Sequence, residues 1–287
     1  MTKKLCIITG ANSGIGKEAA IQMAKEGYYV IIACRNEQRG KKALAEIKKA
    51  SKSTDVELNL LDLSLISSTK SFADSINSQY KKVDVLIHNA AIFDISEKEA
   101  RFTKEGYETV WMTNHVNPVT LTYMLLDKIK ASENGRILTV SSKGLLAKPF
   151  LKVDLDDPEF RNKKFSMTNA YYQSKQAQVM FTYHLAKELE GSKATINCVR
   201  VTAVKVDMSR LSGVSGFMKW VYEQKSKQAI TPEEMAKTYT YLATSDAVAG
   251  ISGKVFDEKN QQVESSKYMK DPEIIESVMK LTRAYLK

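Results

Sequence analysis

Tyr171 and Lys175 stand four apart in the run Tyr171-Tyr172-Gln173-Ser174-Lys175. In a helix, residues four apart share a face, so these two side chains project together. Tyr172 cannot share that face with Lys175, although it can pair with Gln176. A free tyrosine titrates near pH ~10 and is a poor base at neutral pH. A nearby ammonium favours the phenolate and draws that value down toward working pH. The expected chemistry is therefore proton transfer through Tyr171, tuned by Lys175. A tyrosine and a lysine at this spacing are common on soluble helices, so other groups must complete the case. Ser141-Ser142 ends an apolar run. A hydroxyl there can bond a substrate carbonyl and steady the charge developing on it, or simply serve a local turn. Asn114 falls inside a long helical pattern, where its propensity is unfavourable. It can hold a water in a proton relay to Lys175, or it can mark a kink near Pro118.

A second constellation lies near the amino terminus. Thr9-Gly10-Ala11-Asn12-Ser13-Gly14-Ile15-Gly16 follows one apolar run and opens an amphipathic one. Gly10 can take backbone angles closed to other residues. Gly14 leaves room for a pyrophosphate to approach the main chain, and Gly16 lets the helix pack close to its strand. The helix start adds unpaired N–H groups and a positive dipole end. Gly10, Asn12, Ser13, Gly14, Ile15 and Gly16 are thus the expected phosphate turn. The spacing is GxxxGxG rather than GxGxxG, and the competing reading is a glycine turn with no nucleotide.

The second strand ends Ala33-Cys34-Arg35-Asn36. No acidic residue stands there to accept the ribose hydroxyls of NAD. Arg35 instead suits a 2′-phosphate, which a guanidinium grips bidentately. The expected cofactor is NADP(H). Lys17 and Arg39 can assist or lie on exposed helix faces, the latter being preferred for Arg39. Asp62, beside Leu63, can accept from an adenine amine or cap a turn. Asn89-Ala90-Ala91 permits close approach of the cofactor, or forms a plain turn.

These residues need elements to hold them. Apolar runs at 5–9, 28–34, 56–61, 83–88, 136–141 and 195–200 read as strands, with a last one at 254–257. Helical patterns cover 15–26, 37–50, 68–80, 104–131, 170–190, 232–244 and 272–286. Thr231 and Glu234 have capping-box spacing around Pro232. The strand runs are almost continuously apolar, as in Leu5-Cys6-Ile7-Ile8, which suits parallel strands buried on both faces. Alternation of strand and helix predicts one Rossmann-type, doubly wound parallel α/β sheet of about seven strands, with helices on both faces, in a single domain over residues 1–287. Residues 143–168 and 201–230 lack periodicity and are expected to shape a substrate pocket beyond the strand ends.

The chain has 287 residues, 43% of them hydrophobic, enough for a substantial core. No run of 18 apolar residues or secretory leader is evident. Cys6, Cys34 and Cys198 lie singly in apolar runs, which reads as buried free thiols in a reducing compartment, with cytosol the default and no metal site. The formal net charge is +10. Its basic residues are dispersed and no nucleic-acid motif accompanies them, so solubility or attraction to an anionic cofactor or lipid face is the reading. Residues 214–222, with Phe217, Met218 and Trp220, suit a lid over the pocket or a peripheral membrane contact.

Taken in order, TGxxxGxG, the NAA turn, the serine closing the fifth strand and the later YxxxK resemble the short-chain dehydrogenase/reductase family over nearly the whole chain. That resemblance places a catalytic set on Asn114, Ser142, Tyr171 and Lys175, with Ser142 preferred over Ser141, and has Lys175 also bond the nicotinamide ribose. Ala33-Cys34-Arg35, Ala170-Tyr171, Gln173-Ser174-Lys175 and Ser252-Gly253-Lys254-Val255-Phe256 resemble the retinol dehydrogenase and WW-domain oxidoreductase branch. The branch implies NADP(H) and an alcohol or carbonyl substrate that is often lipophilic, and the family resemblance implies a homodimer or homotetramer. Two features depart from the pattern. The usual NAG is Asn89-Ala90-Ala91. The usual Pro-Gly and threonine after the sixth strand are replaced by Val201-Thr202-Ala203-Val204-Lys205-Val206, so main-chain groups near Val204 would have to hold the nicotinamide carboxamide. The departures motivate a rival reading, an NADP-binding regulatory protein with weak or no catalysis. An epimerase or dehydratase of the extended relatives fits the glycine spacing less well.

Overall fold

A nearly all-apolar strand needs neighbours on both edges and cover on both faces, and a central parallel sheet supplies these together. The computed structural model describes residues 3–205 and 229–286. Its strands are β1 (Leu5–Thr9), β2 (Tyr29–Cys34), β3 (Val56–Leu60), β4 (Val85–Ile87), β5 (Arg136–Ser142), β6 (Thr195–Val201) and β7 (Lys254–Phe256). They form one seven-stranded sheet in the order β3-β2-β1-β4-β5-β6-β7, and every pairing is parallel. The chain winds out to β3, returns to the centre at β4 and winds out the other way. This is the doubly wound sheet expected.

The helices are α1 (Gly14–Lys25), α2 (Glu37–Ser51), α3 (Ile66–Gln79), α4 (Thr109–Trp111), α5 (Asn117–Lys130), α6 (Met167–Glu188), α7 (Pro232–Thr244), α8 (Lys267–Lys270) and α9 (Pro272–Arg283). Alternate strand side chains feed two cores. Cys6, Ile8, Val30, Ile32 and Leu138 pack with residues of α1, α2 and α7. Ile7, Ile31, Leu86, Ile137 and Ile196 pack on the other side with α3, α5 and α6. Each fully buried aliphatic side chain contributes about 1.5–3 kcal/mol of hydrophobic stabilisation. Thr231 and Glu234 make the reciprocal capping box at the start of α7. The three cysteines are buried and free. Among the described residues no helix is long and apolar enough to cross a membrane.

The single helix expected over 104–131 is replaced by a turn and three helical pieces. Residues 103–106 form a turn closed by Gly106 N–H donating to the Thr103 carbonyl at 2.9 Å. Glu108 then caps α4 with both carboxylate oxygens, accepting from Val110 N at 2.8 Å and Trp111 N at 2.7 Å. Met112–Val116 is a π turn, and α5 follows with Pro118 in its first turn. Pro118 has no N–H to offer the carbonyl four residues back, which belongs to Asn114. The helical pattern is thus interrupted at Asn114 by a π turn and by Pro118.

Other boundaries differ from the expected ones because of the caps that form. α3 begins at Ile66 rather than Ser68, since Glu105 accepts from Ile66 N at 2.7 Å and Ser67 N at 3.1 Å. α6 begins at Met167 rather than Ala170, capped by Ser166. The segment after β5 starts as a 3-10 turn, Lys143–Ala147, and continues irregularly to Ser166.

Candidate active site

Because every strand runs the same way, all carboxyl ends meet on one edge of the sheet. The loops leaving β1, β2, β3, β4, β5 and β6 there carry Gly10–Gly16, Arg35, Asp62 with Leu63, Asn89 with Ala90, Ser142 and Val204 respectively. The fold thus brings the predicted residues to one side of the molecule.

Within the glycine turn, Gly10 adopts φ +67°, and a Cβ there would lie 2.8 Å from Ala90 Cα. The turn after β1 and the turn after β4 are in direct contact for that reason. Asn89 fastens them, donating to the carbonyls of Thr9 at 3.0 Å and Gly10 at 3.3 Å, while Thr9 Oγ1 accepts from Ala90 N at 3.0 Å. Gly16 packs on Asn89, whose amide nitrogen would lie 2.3 Å from any Cβ. It therefore makes room for Asn89 more than for the strand. Gly14, at φ +56°, faces open space. Ser13 is the N-cap of α1, but its hydroxyl makes no cap bond, and Asn12, Ser13 and Ile15 are half-buried. An open glycine beside uncapped helix amides fits a dinucleotide's pyrophosphate.

Arg35 is exposed just past β2 and forms no ion pair among the described residues. Lys17 is engaged by Glu46 of α2 at 2.8 Å, and Arg39 is exposed. Asp62 is occupied locally: its Oδ1 accepts from Ser64 N at 2.9 Å and Ser64 Oγ at 2.7 Å. That is the turn role weighed above. Leu63 is buried, and its carbonyl accepts from Asn117 Nδ2 at 2.8 Å. Beside Val204, Ile230 bonds the Ala203 carbonyl at 3.1 Å and Lys205 N at 2.9 Å, forming a parallel bridge. Val206 and the lid segment 214–222 lie outside the described residues.

Tyr171 and Lys175 occupy one face of α6, as their spacing required. Lys175 is buried, donates from Nζ to the Val140 carbonyl at 2.9 Å, and lies over the Tyr171 ring at 5.5 Å from its centroid. Burial draws its ammonium down to about 8, against a smaller opposing pull from Cys198. The expected depression of Tyr171 is not realised. Burial pushes its phenol up to about 12, Tyr172 adds to the rise, and a hydrogen bond with Ser142 opposes it. The reason is geometric: the ammonium is turned to a β5 carbonyl and the ring face. Tyr171 is consequently a protonated phenol at neutral pH.

The two serines divide as the side-chain alternation of a strand dictates. Ser141 is buried and bonds the Lys175 carbonyl at 3.4 Å. Ser142 is half-buried, shares a hydrogen bond with Tyr171 and accepts from Gly144 N at 3.1 Å. Asn114 does not hold a relay through its amide. Its Oδ1 accepts from Ile92 N at 2.7 Å, and its Nδ2 donates to the Ile92 carbonyl at 3.1 Å and to Ser174 Oγ at 3.2 Å. The side chain splints the loop after β4 to α6.

Several contributors went unread in the sequence. Gln173 Nε2 donates to the Pro158 carbonyl at 2.6 Å, and Gln176 Nε2 to the Leu151 carbonyl at 2.7 Å. This pair, three apart on α6, holds the irregular segment against the helix that carries Tyr171. Two buried glutamines at that spacing were the available signal. Phe93 stacks on Tyr171 with ring centroids 4.4 Å apart, and it lies 6.3 Å from Tyr172. Tyr239 of α7 is fully buried and donates to Asn89 Oδ1 at 3.4 Å.

Comparison with known proteins follows the same division. Residues 4–151 match the model of the short chain dehydrogenase family, and residues 161–257 match that of the enoyl-(acyl carrier protein) reductase family. Human retinol dehydrogenase 13 is 34% identical over 268 residues, covering 90% of this chain and 77% of that protein. Human retinol dehydrogenase 12 is 34% identical over 255 residues, covering 89% and 78%. Among solved structures, an uncharacterized protein from Mycobacterium paratuberculosis aligns with TM-score 0.72 at 25% identity, covering 99% of this chain and 94% of that one. A short chain dehydrogenase from Salmonella enterica serovar Typhi aligns with TM-score 0.67 at 23% identity, covering 90% and 96%.

Proposed function

The chain belongs to the short-chain dehydrogenase/reductase family of oxidoreductases, and from that premise we propose that it interconverts an alcohol and a carbonyl with NADP(H), using Tyr171 as the proton-transferring group. The observation that carries the reading is the Ser142–Tyr171–Lys175 cluster at the carboxyl edge of the sheet, the edge that also carries the open glycine turn. A nicotinamide, when bound, supplies or accepts the hydride. Tyr171, held protonated by burial, gives its proton to the carbonyl oxygen in reduction and takes one back in oxidation. Ser142 bonds the same oxygen and steadies its developing charge. Lys175 places positive charge beneath the tyrosine ring. The Asn114 carbonyl, which Pro118 cannot satisfy, is the acceptor we assign to a water-borne proton relay, while the Asn114 amide holds the neighbouring loop.

Gly10, Asn12, Ser13, Gly14, Ile15 and Gly16 cradle the pyrophosphate in this reading. Arg35, exposed and without a carboxylate partner among the described residues, takes the 2′-phosphate. Asp62, Leu63, Asn89, Ala90 and Val204 line the rest of the track, and segment 143–168 flanks the substrate. The retinol dehydrogenase relatives support a lipophilic substrate.

Tyr171→Phe tests the assignment. Reduction of a panel of lipophilic aldehydes with NADPH should fall by at least about 100-fold, with NADPH affinity within twofold of wild type. Full activity in that variant would refute it. In the same titrations wild type should favour NADPH over NADH, and Arg35→Ala should erase the preference. Tight NADPH binding without turnover of any carbonyl would instead favour the regulatory reading.

A further inference from the structure

Phe93 is a large apolar side chain left 43% exposed beside the proton-transferring group. Its ring packs on Tyr171 at 4.4 Å between centroids and a 35° tilt, and Tyr172 lies at 6.3 Å. Tyr172 itself meets Tyr171 edge-on at 5.2 Å, and its hydroxyl end abuts Gly144, where a Cβ would come within 2.2 Å. The three rings therefore form one wall, running from the loop after β4 to the turn after Ser142.

Phe93 is not placed there by its own packing alone. The residue before it, Ile92, has both its N–H and its carbonyl held by the Asn114 side chain. Asn114 is in turn bonded to Ser174, one turn along α6 from Tyr171. The loop bearing the ring and the helix bearing the phenol are thus fixed to each other through one amide. A ring locked at such a distance from a reacting hydroxyl, and 43% exposed, is placed to meet the group attached to the substrate carbonyl.

We infer that Phe93 is a specificity-determining residue that selects the substituent next to the reacting carbonyl, favouring a flat, sp²-hybridised group over a saturated one of the same size. The inference rests on the oxidoreductase reading above. A planar substituent can stack on the exposed part of this ring in an offset arrangement, whereas a puckered one of equal carbon count cannot. Asn114, acting through Ile92, is the positioning residue for that wall.

Benzaldehyde and cyclohexanecarbaldehyde share a six-carbon ring and differ in planarity, so they are the probe pair. The ratio of their kcat/KM values with NADPH is compared among wild type, Phe93→Leu and Phe93→Tyr. Comparing ratios removes the intrinsic difference in reactivity. Phe93→Leu keeps apolar bulk at a partly exposed position and should lower the ratio about fivefold, the scale of an aromatic pair. Phe93→Tyr, which keeps the ring, should restore it. An unchanged ratio in Phe93→Leu overturns the inference. Calorimetric titration of the two aldehydes into NADP⁺-saturated protein supplies a second readout. If wild type turns over neither these two nor any member of the lipophilic panel, the oxidoreductase reading fails. The wall then stands if benzaldehyde still binds more tightly and loses that advantage in Phe93→Leu, and it falls if both bind alike or neither binds.

Discussion

A lysine with no water around it is costly to keep charged. Lys175 is 2% exposed, and burial brings its ammonium from 10.5 down to about 8. That gap corresponds to up to about 3 kcal/mol of destabilisation at neutral pH. Lys175→Met, of similar volume, should raise the melting temperature of the cofactor-free protein by roughly 5 °C at pH 7 while abolishing turnover. The sign is set by the lowered value. Below about pH 8 the folded lysine is charged and the penalty is complete. Between about pH 8 and 10.5 the folded lysine is neutral, so the variant's advantage should shrink over that window. Thermal melts of both proteins from pH 6 to 10 measure this. An unaltered gap would mean that the lysine is better solvated than its surroundings imply. The same residue illustrates how much was legible beforehand. Its partner and face followed from a four-residue spacing. Its effect on Tyr171 did not, because that depends on which acceptor the ammonium reaches, and the Val140 carbonyl is a neighbour created by the sheet.

Elements of secondary structure were readable where their signals were local. The capping box before α7 and the apolar runs of β1 and β2 needed no distant partner. The start of α3 was not readable, because its cap is Glu105, 39 residues away. The break in the 104–131 pattern has the same character. Glu108, Glu159 and Tyr285 meet around it: Glu159 accepts from Glu108 N at 2.6 Å and from the Tyr285 hydroxyl at 3.0 Å, and Arg161 pairs with Glu159. Burial lifts the Glu108 carboxyl to about 7, with the Glu159 charge adding and the α4 amides opposing. An acid raised in this way contributes stability that is complete below about pH 4.5 and is lost as pH rises through about 7. Glu108→Gln cannot ionise and can accept fewer amide bonds. It should be the less stable protein at pH 5 and should recover against wild type, by up to about 3 kcal/mol, by pH 8. Chemical denaturation at the two values checks it, and parallel pH profiles would count against a buried ionisable acid at that cap.

At the scale of the whole molecule, strand polarity does the assembling. Seven strands pointing one way place six loops on one edge, so residues scattered from Gly10 to Val204 gather on one side of the molecule. Periodicity and apolar runs carried that architecture. The site's walls depended on side chains that bond backbone: Asn114 to Ile92, Gln173 to Pro158 and Gln176 to Leu151. An amide's partner is chosen by tertiary proximity, which spacing along the chain does not encode. The three thiols are distributed over this architecture in a useful way. Cys6 is interior to β1, Cys198 lies in β6 within electrostatic reach of Lys175, and Cys34 sits against the amides of Ala11 and Asn12. Burial raises Cys34 and Cys198 to about 11 and Cys6 higher still, so thiolate is scarce at neutral pH. Iodoacetamide should leave the native protein nearly unmodified and mark each cysteine at the rate its surroundings open. Saturation with NADPH should then slow alkylation of Cys34 more than that of Cys198, as peptide mass spectrometry would record, making a sulfur atom beneath the phosphate turn a chemical clock for its occupancy.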